Sequence, residues 1–448
     1  MRGHLGPAQV VSGNLVGWSH IVLIISSLWI PCFAETYEEL FRKAAEYASQ
    51  GKFDEAIRSY QAALQQRPNA PEALSNLSVA YHSAGYDQEA VETARQSLRV
   101  APDLLAPNLI LGLALTQLGR SSEAIAPLAK ALELNPGSRD AALGLAAAKM
   151  GVGEVAGAAA IYQRQFDNAP EDADALYGVA ITTERLAEAA SRRLSKAPGG
   201  AALFNRLLHD YLIDRGETAL AAEALENAAP PSNVQPSSET RLLYEATRGL
   251  AERSRQAFLR LVEITPHSWQ THLFLGDLNR QQRKFPEAIT HYETAARLKP
   301  SLAGAALGLG TVYWELGAFD RAGPYLQEAL RMNPRAMQAK FELGNIAVRQ
   351  RRDQEAVKIL EDYLMTAPDS PAAHADLGRA LLHLGRYQEA VPHLEAASSI
   401  DEHGDIHFQL ANALQQLGRK AEAEQAIAES KRIRARELER EQKLRLGR

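Results

Sequence analysis

The spacing of the prolines constrains this chain more than any other feature of its sequence. Two sets of four prolines each recur every 34 residues, at positions 68, 102, 136 and 170 and then at 266, 300, 334 and 368. A fixed period of this length indicates a repeat protein in which each unit is one supersecondary element. Because the residue before a proline is pushed out of the helical conformation, each of these prolines is expected to end one unit.

Small residues follow the same period. Glycine recurs at 51, 85, 119 and 153, and alanine recurs at 56, 90, 124 and 158 and again at 288, 322, 356 and 390. Glycine adopts a positive φ without steric cost, and alanine lets two helices cross closely. Each unit is therefore predicted to be two helices joined by a tight turn. We expect Asp54, Ser122 and Asp320 to cap the N-termini of second helices with their side chains.

These residues resemble the tetratricopeptide repeat family. Leu309-Gly310-Thr311-Val312-Tyr313 is similar to the family's first-helix core, and Gly51-Lys52-Phe53-Asp54-Glu55-Ala56 is similar to its turn into the second helix. The resemblance covers roughly 37–437. It implies an all-α protein, a right-handed α-solenoid of about twelve helix-turn-helix repeats whose middle members are divergent. In such an array each repeat is stabilised by its neighbours.

The sequence divides into five predicted segments. They are an N-terminal signal peptide or anchor (1–34), an N-terminal repeat array (35–172), a divergent helical segment (173–268), a C-terminal repeat array (269–437) and the basic end of a capping helix (438–448). The interval from Pro170 to Pro266 is six residues short of three periods. We therefore predict three divergent repeats there, 173–200, 202–234 and 235–268. A polar loop rich in proline and serine, 228–239, is the predicted hinge.

The N-terminus is typical of an export signal. Residues 21–30 are an apolar run that is long enough for a signal sequence, and Cys32-Phe33-Ala34 places small residues where a signal peptidase cleaves. We expect cleavage after Ala34 and an exported, periplasmic or secreted protein. The alternative is an uncleaved anchor formed by 21–30, since Arg2 is the only basic residue before this run. Cys32 is the only cysteine, so cleavage would leave no thiol for disulfides or catalysis.

The charge of the chain argues against nucleic acid as its partner. Residues 35–430 contain 40 basic and 51 acidic residues, whereas binding to phosphates requires a dense basic surface. Residues 431–448 carry eight basic and three acidic residues, which we interpret as a solvated helix end.

No catalytic motif is recognisable. The sequence contains no His-Glu-x-x-His, no Gly-x-Ser-x-Gly and no phosphate-binding loop. His403 and His407 have the spacing of two metal ligands on one helix face, but Gly404 interrupts that face and no third ligand is evident. We predict a protein that is not an enzyme and that has no cofactor, no metal and no small-molecule substrate.

The resemblance implies that the first helices line a concave groove that binds other proteins. In the C-terminal array the groove positions are Leu273, Asp277, Arg280, Leu307, Thr311, Trp314, Phe341, Asn345, Arg379, Phe408 and Asn412. Aromatic residues beside amides suit an extended peptide or a helix lying along the groove. An alternative interpretation is that Trp314 and Phe341 pack between repeats.

Three functions follow as hypotheses. The first is a scaffold of the cell envelope that binds peptide segments or helices of partner proteins, with membrane contact only through an uncleaved N-terminus. The alternative is a repeat subunit of an envelope machine for polysaccharide or lipoprotein export or assembly. A third, an enzyme within 173–268, is disfavoured because that segment has helical periodicity and no cysteine.

Overall fold

A computed structural model describes residues 35–214 and 235–446, together with 221–222, 224–225 and 228. All regular elements in these residues are helices. The predicted signal or anchor, 1–34, lies outside the described residues, and so does much of the predicted hinge loop 228–239.

The N-terminal part consists of four consecutive helix pairs. In each pair the first helix has 13 residues and the second has 14. The helices are α1 Tyr37–Ser49, α2 Phe53–Gln66, α3 Pro71–Ser83, α4 Asp87–Val100, α5 Leu105–Gln117, α6 Ser121–Leu134, α7 Arg139–Gly151 and α8 Val155–Asn168.

The C-terminal part contains five more pairs. The helices are α12 Trp269–Gln281, α13 Phe285–Leu298, α14 Ala303–Glu315, α15 Phe319–Met332, α16 Met337–Arg349, α17 Asp353–Thr366, α18 Pro371–His383, α19 Tyr387–Ala396, α20 Asp405–Gln416 and α21 Lys420–Leu446. A 3₁₀ turn, Ser398–Ile400, lies between α19 and α20. The long last helix, α21, includes most of the predicted basic end.

The middle of the chain differs from the three short repeats that the sequence predicted. It contains α9 Ala173–Lys196, α10 Gly200–Asp214 and α11 Ser238–Ile264. The two long helices α9 and α11 pack side by side, and Ser254 donates a hydrogen bond to the carbonyl of Ala180 at 3.1 Å. The reason lies at Ala187, which occupies the position where the four preceding repeats have a turn glycine. Without that glycine, α9 continues to Lys196.

The predicted side-chain caps are also wrong. The second helices α2, α6 and α15 begin two residues earlier than expected, and their N-cap residues are Lys52, Arg120 and Ala318, none of which caps with its side chain. The predicted caps Asp54, Ser122 and Asp320 lie inside the first turn instead. There the two carboxylates face the positive end of the helix dipole.

Within a pair, a glycine of the first helix contacts a leucine of the second. A Cβ atom added to the glycine would lie 2.3 to 2.7 Å from a leucine side-chain atom in four pairs: Gly112–Leu128, Gly310–Leu326, Gly344–Leu360 and Gly378–Leu394. All four leucines are fully buried, and each contributes about 2 kcal/mol by its removal from water. Small residues of the first helix therefore allow the close approach that the sequence predicted, and the all-α solenoid is confirmed.

Candidate binding site

The predicted groove residues are distributed over five successive first helices. They lie on α12 (Leu273, Asp277, Arg280), α14 (Leu307, Thr311, Trp314), α16 (Phe341, Asn345), α18 (Arg379) and α20 (Phe408, Asn412). Neighbouring first helices contact each other along this series. We call the surface that they share the first-helix face.

A buried hydrogen-bond network begins between α14 and α16. The Thr311 hydroxyl donates to the Glu342 carboxylate, with distances of 2.9 and 3.0 Å to its two oxygens. The Gln338 amide donates to Glu342 Oε1 at 2.9 Å and to Thr311 Oγ1 at 3.2 Å. Thr311 and Glu342 are each only 3% exposed. Thr311 therefore links two repeats, and it is not available to a partner.

A second set of hydrogen bonds runs from α14 through α16 to α18. Trp314 Nε1 donates to Asn345 Oδ1 at 2.9 Å, and Asn345 Nδ2 donates to Asp376 Oδ2 at 2.6 Å. Arg349 Nε also donates to Asn345 Oδ1, at 3.1 Å. The Asp376 carboxylate receives a further, long contact of 3.4 Å from Arg379. The Asn345 side chain both accepts and donates hydrogen bonds, so its amide is held in one orientation.

The repeat explains this network. Thr311 and Asn345 are 34 residues apart, and each bonds an acid 31 residues later, Glu342 and Asp376 respectively. The equivalent residue on α20 is Gln409, because one residue is missing from the preceding repeat. Among the described residues, its buried Oε1 has no hydrogen-bond partner. The network therefore ends at Asp376 and Arg379.

Burial has the largest effect on the pKa values of the two acids, Glu342 and Asp376. It raises the pKa of Glu342, against which hydrogen bonds from Gln338 and Thr311 act in the opposite direction. Burial likewise raises the pKa of Asp376, opposed by the Asn345 hydrogen bond and by the charges of Arg379 and Arg349. Both acids thus carry a desolvation cost that the polar partners reduce only in part.

At the start of the series, α12 uses different partners. The Tyr292 hydroxyl of α13 donates to Asp277 at 2.6 Å, and Arg280 pairs with Glu315 of α14 at 2.7 Å. Burial raises the pKa of Asp277, and burial together with the Asp277 charge raises the pKa of Tyr292. The residue that corresponds to Glu342 one period earlier is Gly308 on α14, and it leaves room for the tyrosine ring.

Three of the predicted residues belong largely to the hydrophobic core. Leu273 is buried, and Leu307 packs against the same cluster. The Phe341 ring packs against Tyr363 of α17, with 5.6 Å between centroids. This ring contact lies within one repeat, the pair α16 and α17, so packing of Phe341 between repeats stays a prediction. Trp314 is only partly buried, and it both bonds Asn345 and packs on the core.

The last two predicted residues are the accessible ones. Phe408 is 56% exposed, with the Arg434 guanidinium 5.8 Å from its ring centroid. Asn412, one helical turn later, is also exposed. An exposed aromatic ring beside an exposed amide is the part of the first-helix face that a partner can reach directly.

Sequence reasoning missed the acids. Glu342 and Asp376 precede the Leu-Gly pairs of their repeats and are one period apart. An acid at a fixed repeat position within a buried helix stripe is the signal that could have identified them. Their partners could not have been assigned, because the distances depend on how successive repeats pack.

Each of the two histidines considered as metal ligands lies beside a different carboxylate. His407 Nδ1 lies 2.6 Å from Asp401, whereas His403 Nδ1 lies 2.5 Å from Glu437. In the described part of the chain, no three potential ligands are grouped to hold a metal ion. Across the same residues, no helix has both the length and the apolar character needed to cross a bilayer.

The paired helices define a helical-repeat protein, and comparison of sequences names the repeat. Models described as tetratricopeptide repeat match 88–139, 307–371 and 355–402, then 115–180 and 381–440, and also 71–104. A further model described as TPR repeat matches 44–85 and 276–317. Together these matches span more than half of the chain. The chain belongs to the tetratricopeptide repeat family, whose members are typically non-catalytic protein-interaction scaffolds.

Solved structures with similar helical arrays include three that illustrate the range. MamA of strain AMB-1 is 24% identical and aligns with 36% of this chain and 96% of its own, at a TM-score of 0.33. A tetratricopeptide repeat protein from Parabacteroides merdae is 17% identical and aligns with 69% of this chain and 98% of its own, at a TM-score of 0.44. YrrB, described as having an unusual peptide-binding site, is 19% identical and aligns with 40% of this chain and 93% of its own, at a TM-score of 0.36. No curated protein sequence matches.

Proposed function

We propose that this chain is an exported scaffold of the cell envelope that binds a peptide segment or a helix of partner proteins. The binding surface is the concave first-helix face of the C-terminal array. The chain itself catalyses no reaction in this proposal. The N-terminal apolar run and the small residues before position 35 support export.

The observation that supports the proposal most is the exposed Phe408 ring beside the exposed Asn412 amide on this face. Trp314, Asn345 and Asp376 hold each other across three successive first helices. Because Asn345 and Asp376 are only 6% and 5% exposed, these bonds hold the helices that carry the surface in place and do not themselves contact a partner. Beyond the network, the exposed Phe408 offers an aromatic anchor, and aromatic anchors contribute much of the energy of protein interfaces.

Site-specific photocrosslinking in native cells tests the surface. A photoreactive amino acid at Asn412 is expected to crosslink to a small set of partner proteins. The matched control is the same amino acid at Met365, which is 84% exposed but lies on a second helix. Replacing Phe408 with Ala should reduce the Asn412 products several-fold, because the anchor is lost. Equal products from both positions, or none from Asn412, would contradict the proposal.

Export is tested separately. The chain purified from fractionated cells should be found in the envelope or the medium, and its N-terminal sequence should begin at Glu35. Recovery from the cytoplasm with 1–34 intact would reject export. Recovery from the inner membrane with these residues intact would favour the anchor formed by 21–30.

A further inference from the structure

A cleft lies where the first helices of three repeats end. Its volume is about 1010 Å³, and its lining includes Arg280, Arg283, Trp314, Glu315, Phe319 and Arg349. These residues come from the C-terminal ends of α12, α14 and α16, from the turn after α12 and from the first residue of α15. A cleft of this size is large enough for several residues of a peptide.

The backbone at Arg283 is unusual. At the equivalent turn position, seven other repeats have glycine with φ between 70° and 85°: Gly51, Gly85, Gly119, Gly153, Gly317, Gly385 and Gly418. Arg283 adopts the same left-handed conformation with φ 57°, and Arg351 does so with φ 59°. This conformation is sterically disfavoured for residues with a Cβ atom. A strained residue where glycine would fit well motivates a search for a function of its side chain.

The two strained arginines differ in their surroundings. Arg351 has an acidic neighbour, since its Nε lies 3.4 Å from Asp353. Arg283 is exposed, and in the described part of the chain its guanidinium has no ion pair. It lies 5.7 Å from the centroid of the Phe285 ring. Arg283 therefore keeps its hydrogen-bond donors available at the cleft.

The cleft has an excess of positive charge in an acidic protein. Arg280 is neutralised by Glu315 at 2.7 Å, which leaves Arg283 and Arg349 without a carboxylate partner among the described residues. Arg349 lies beside an aromatic ring, with its guanidinium 5.9 Å from the centroid of Phe319. Guanidinium groups bind carboxylates in a bidentate geometry, and the neighbouring rings offer apolar contact.

We propose that this cleft binds an acidic segment of a partner protein, with its carboxylates held by Arg283 and Arg349. The inference rests on the proposed function and names the chemistry of the partner. A protein segment is favoured over nucleic acid because residues 35–430 have eleven more acidic than basic residues. That charge repels a long polyphosphate but tolerates a short acidic stretch that is local to the cleft.

The experiment measures binding of a fluorescein-labelled peptide, four glutamates around one phenylalanine, to the full chain by fluorescence anisotropy. Arg283→Gly should weaken binding about tenfold, because a charged hydrogen-bonding group is removed. It should not lower Tm, since glycine relieves the left-handed backbone. Arg349→Gln, which leaves that turn unchanged, should also weaken binding.

Arg351→Gly is the matched control. It makes the same substitution at the same turn position two repeats later, outside the cleft, and should leave affinity unchanged. The inference is overturned if a peptide with glutamines in place of glutamates binds equally well, or if Arg283→Gly and Arg351→Gly have the same affinity. Tighter binding of oligothymidylate than of the acidic peptide would also overturn it. Crosslinking at Asn412 is independent of these results, so either proposal can fail alone.

Discussion

In the C-terminal array, single buried carboxylates form hydrogen bonds that connect one repeat to the next. Glu342 is 3% exposed and accepts hydrogen bonds from Thr311 and Gln338, which are neutral donors. A carboxylate in such surroundings loses hydration that neutral donors only partly replace. Its presence therefore fixes the register of α14 against α16 at a cost that depends on its charge.

The charge of Glu342 should make stability depend on pH. Its folded-state pKa is raised by burial above the ordinary 4.5, so the folded chain binds the proton more tightly than the unfolded chain does. The contribution of Glu342 to stability therefore falls as pH rises above about 4.5. Glu342→Gln removes this loss, because it replaces the carboxylate with an uncharged amide that can still hydrogen-bond. We expect the free energy of unfolding of the variant, relative to wild type, to increase between about pH 5 and pH 8.

An exposed acid provides the control for this measurement. The Arg331 hydrogen bond lowers the pKa of Glu328, so its contribution has the opposite sign and is lost as pH falls. Glu328→Gln should therefore show the opposite trend or none. Urea denaturation at a series of pH values measures both variants. A difference between Glu342→Gln and wild type that does not change with pH would exclude a raised pKa of Glu342 in the folded chain.

At the scale of the helix, one tyrosine packs at the place where three helices meet, two first helices and one second helix. The Tyr292 ring of α13 is fully buried and fits between Gly276 of α12 and Gly308 of α14. Its hydroxyl reaches Asp277. The absence of a Cβ atom at both glycines is what allows α12, α13 and α14 to close around the ring.

Adding one methyl group at Gly308 tests this packing. A Cβ there would lie 2.3 Å from Tyr292 Cε1, so the ring must move away from Asp277. We expect Gly308→Ala to reduce the free energy of unfolding by about 1–3 kcal/mol through overpacking.

The matched control is Gly323→Ala on α15, where an added Cβ has no neighbour within 4 Å. Alanine favours the helix over glycine, so this variant should gain up to about 1 kcal/mol. Denaturation monitored by circular dichroism compares the two. If both variants have the same stability, the ring is not confined between the glycines.

At the scale of the whole molecule, the long pair α9 and α11 connects the two regular arrays. Phe258 of α11 stacks on Phe274 of α12 with 4.2 Å between centroids. Tyr177 of α9 contacts both Phe258 and Trp269, at 6.4 and 5.6 Å. In a solenoid, cooperativity passes only between neighbouring units, so this aromatic cluster couples one array to the other.

Removing the central ring should uncouple the arrays. We expect Phe258→Ala to cost about 3–5 kcal/mol at the junction and to separate unfolding into two transitions. In the described residues, both tryptophans, Trp269 and Trp314, belong to the C-terminal array. Their fluorescence should therefore change at a denaturant concentration different from the midpoint in circular dichroism. Coincident curves for the variant would show that the cluster does not transmit cooperativity.

Periodicity in the sequence was sufficient for the architecture, because prolines, turn glycines and helix-contact alanines act through local backbone sterics that any repeat obeys. It also located the first-helix positions, and Phe408 and Asn412 among them are exposed. Tertiary packing alone decided the rest: that α9 pairs with α11, that Glu342 and Asp376 join successive helices, and that Arg283 and Arg349 share a cleft. Those relations join residues from 31 to more than 60 positions apart. Their distances follow from the angle at which whole repeats stack, and no local preference encodes that angle.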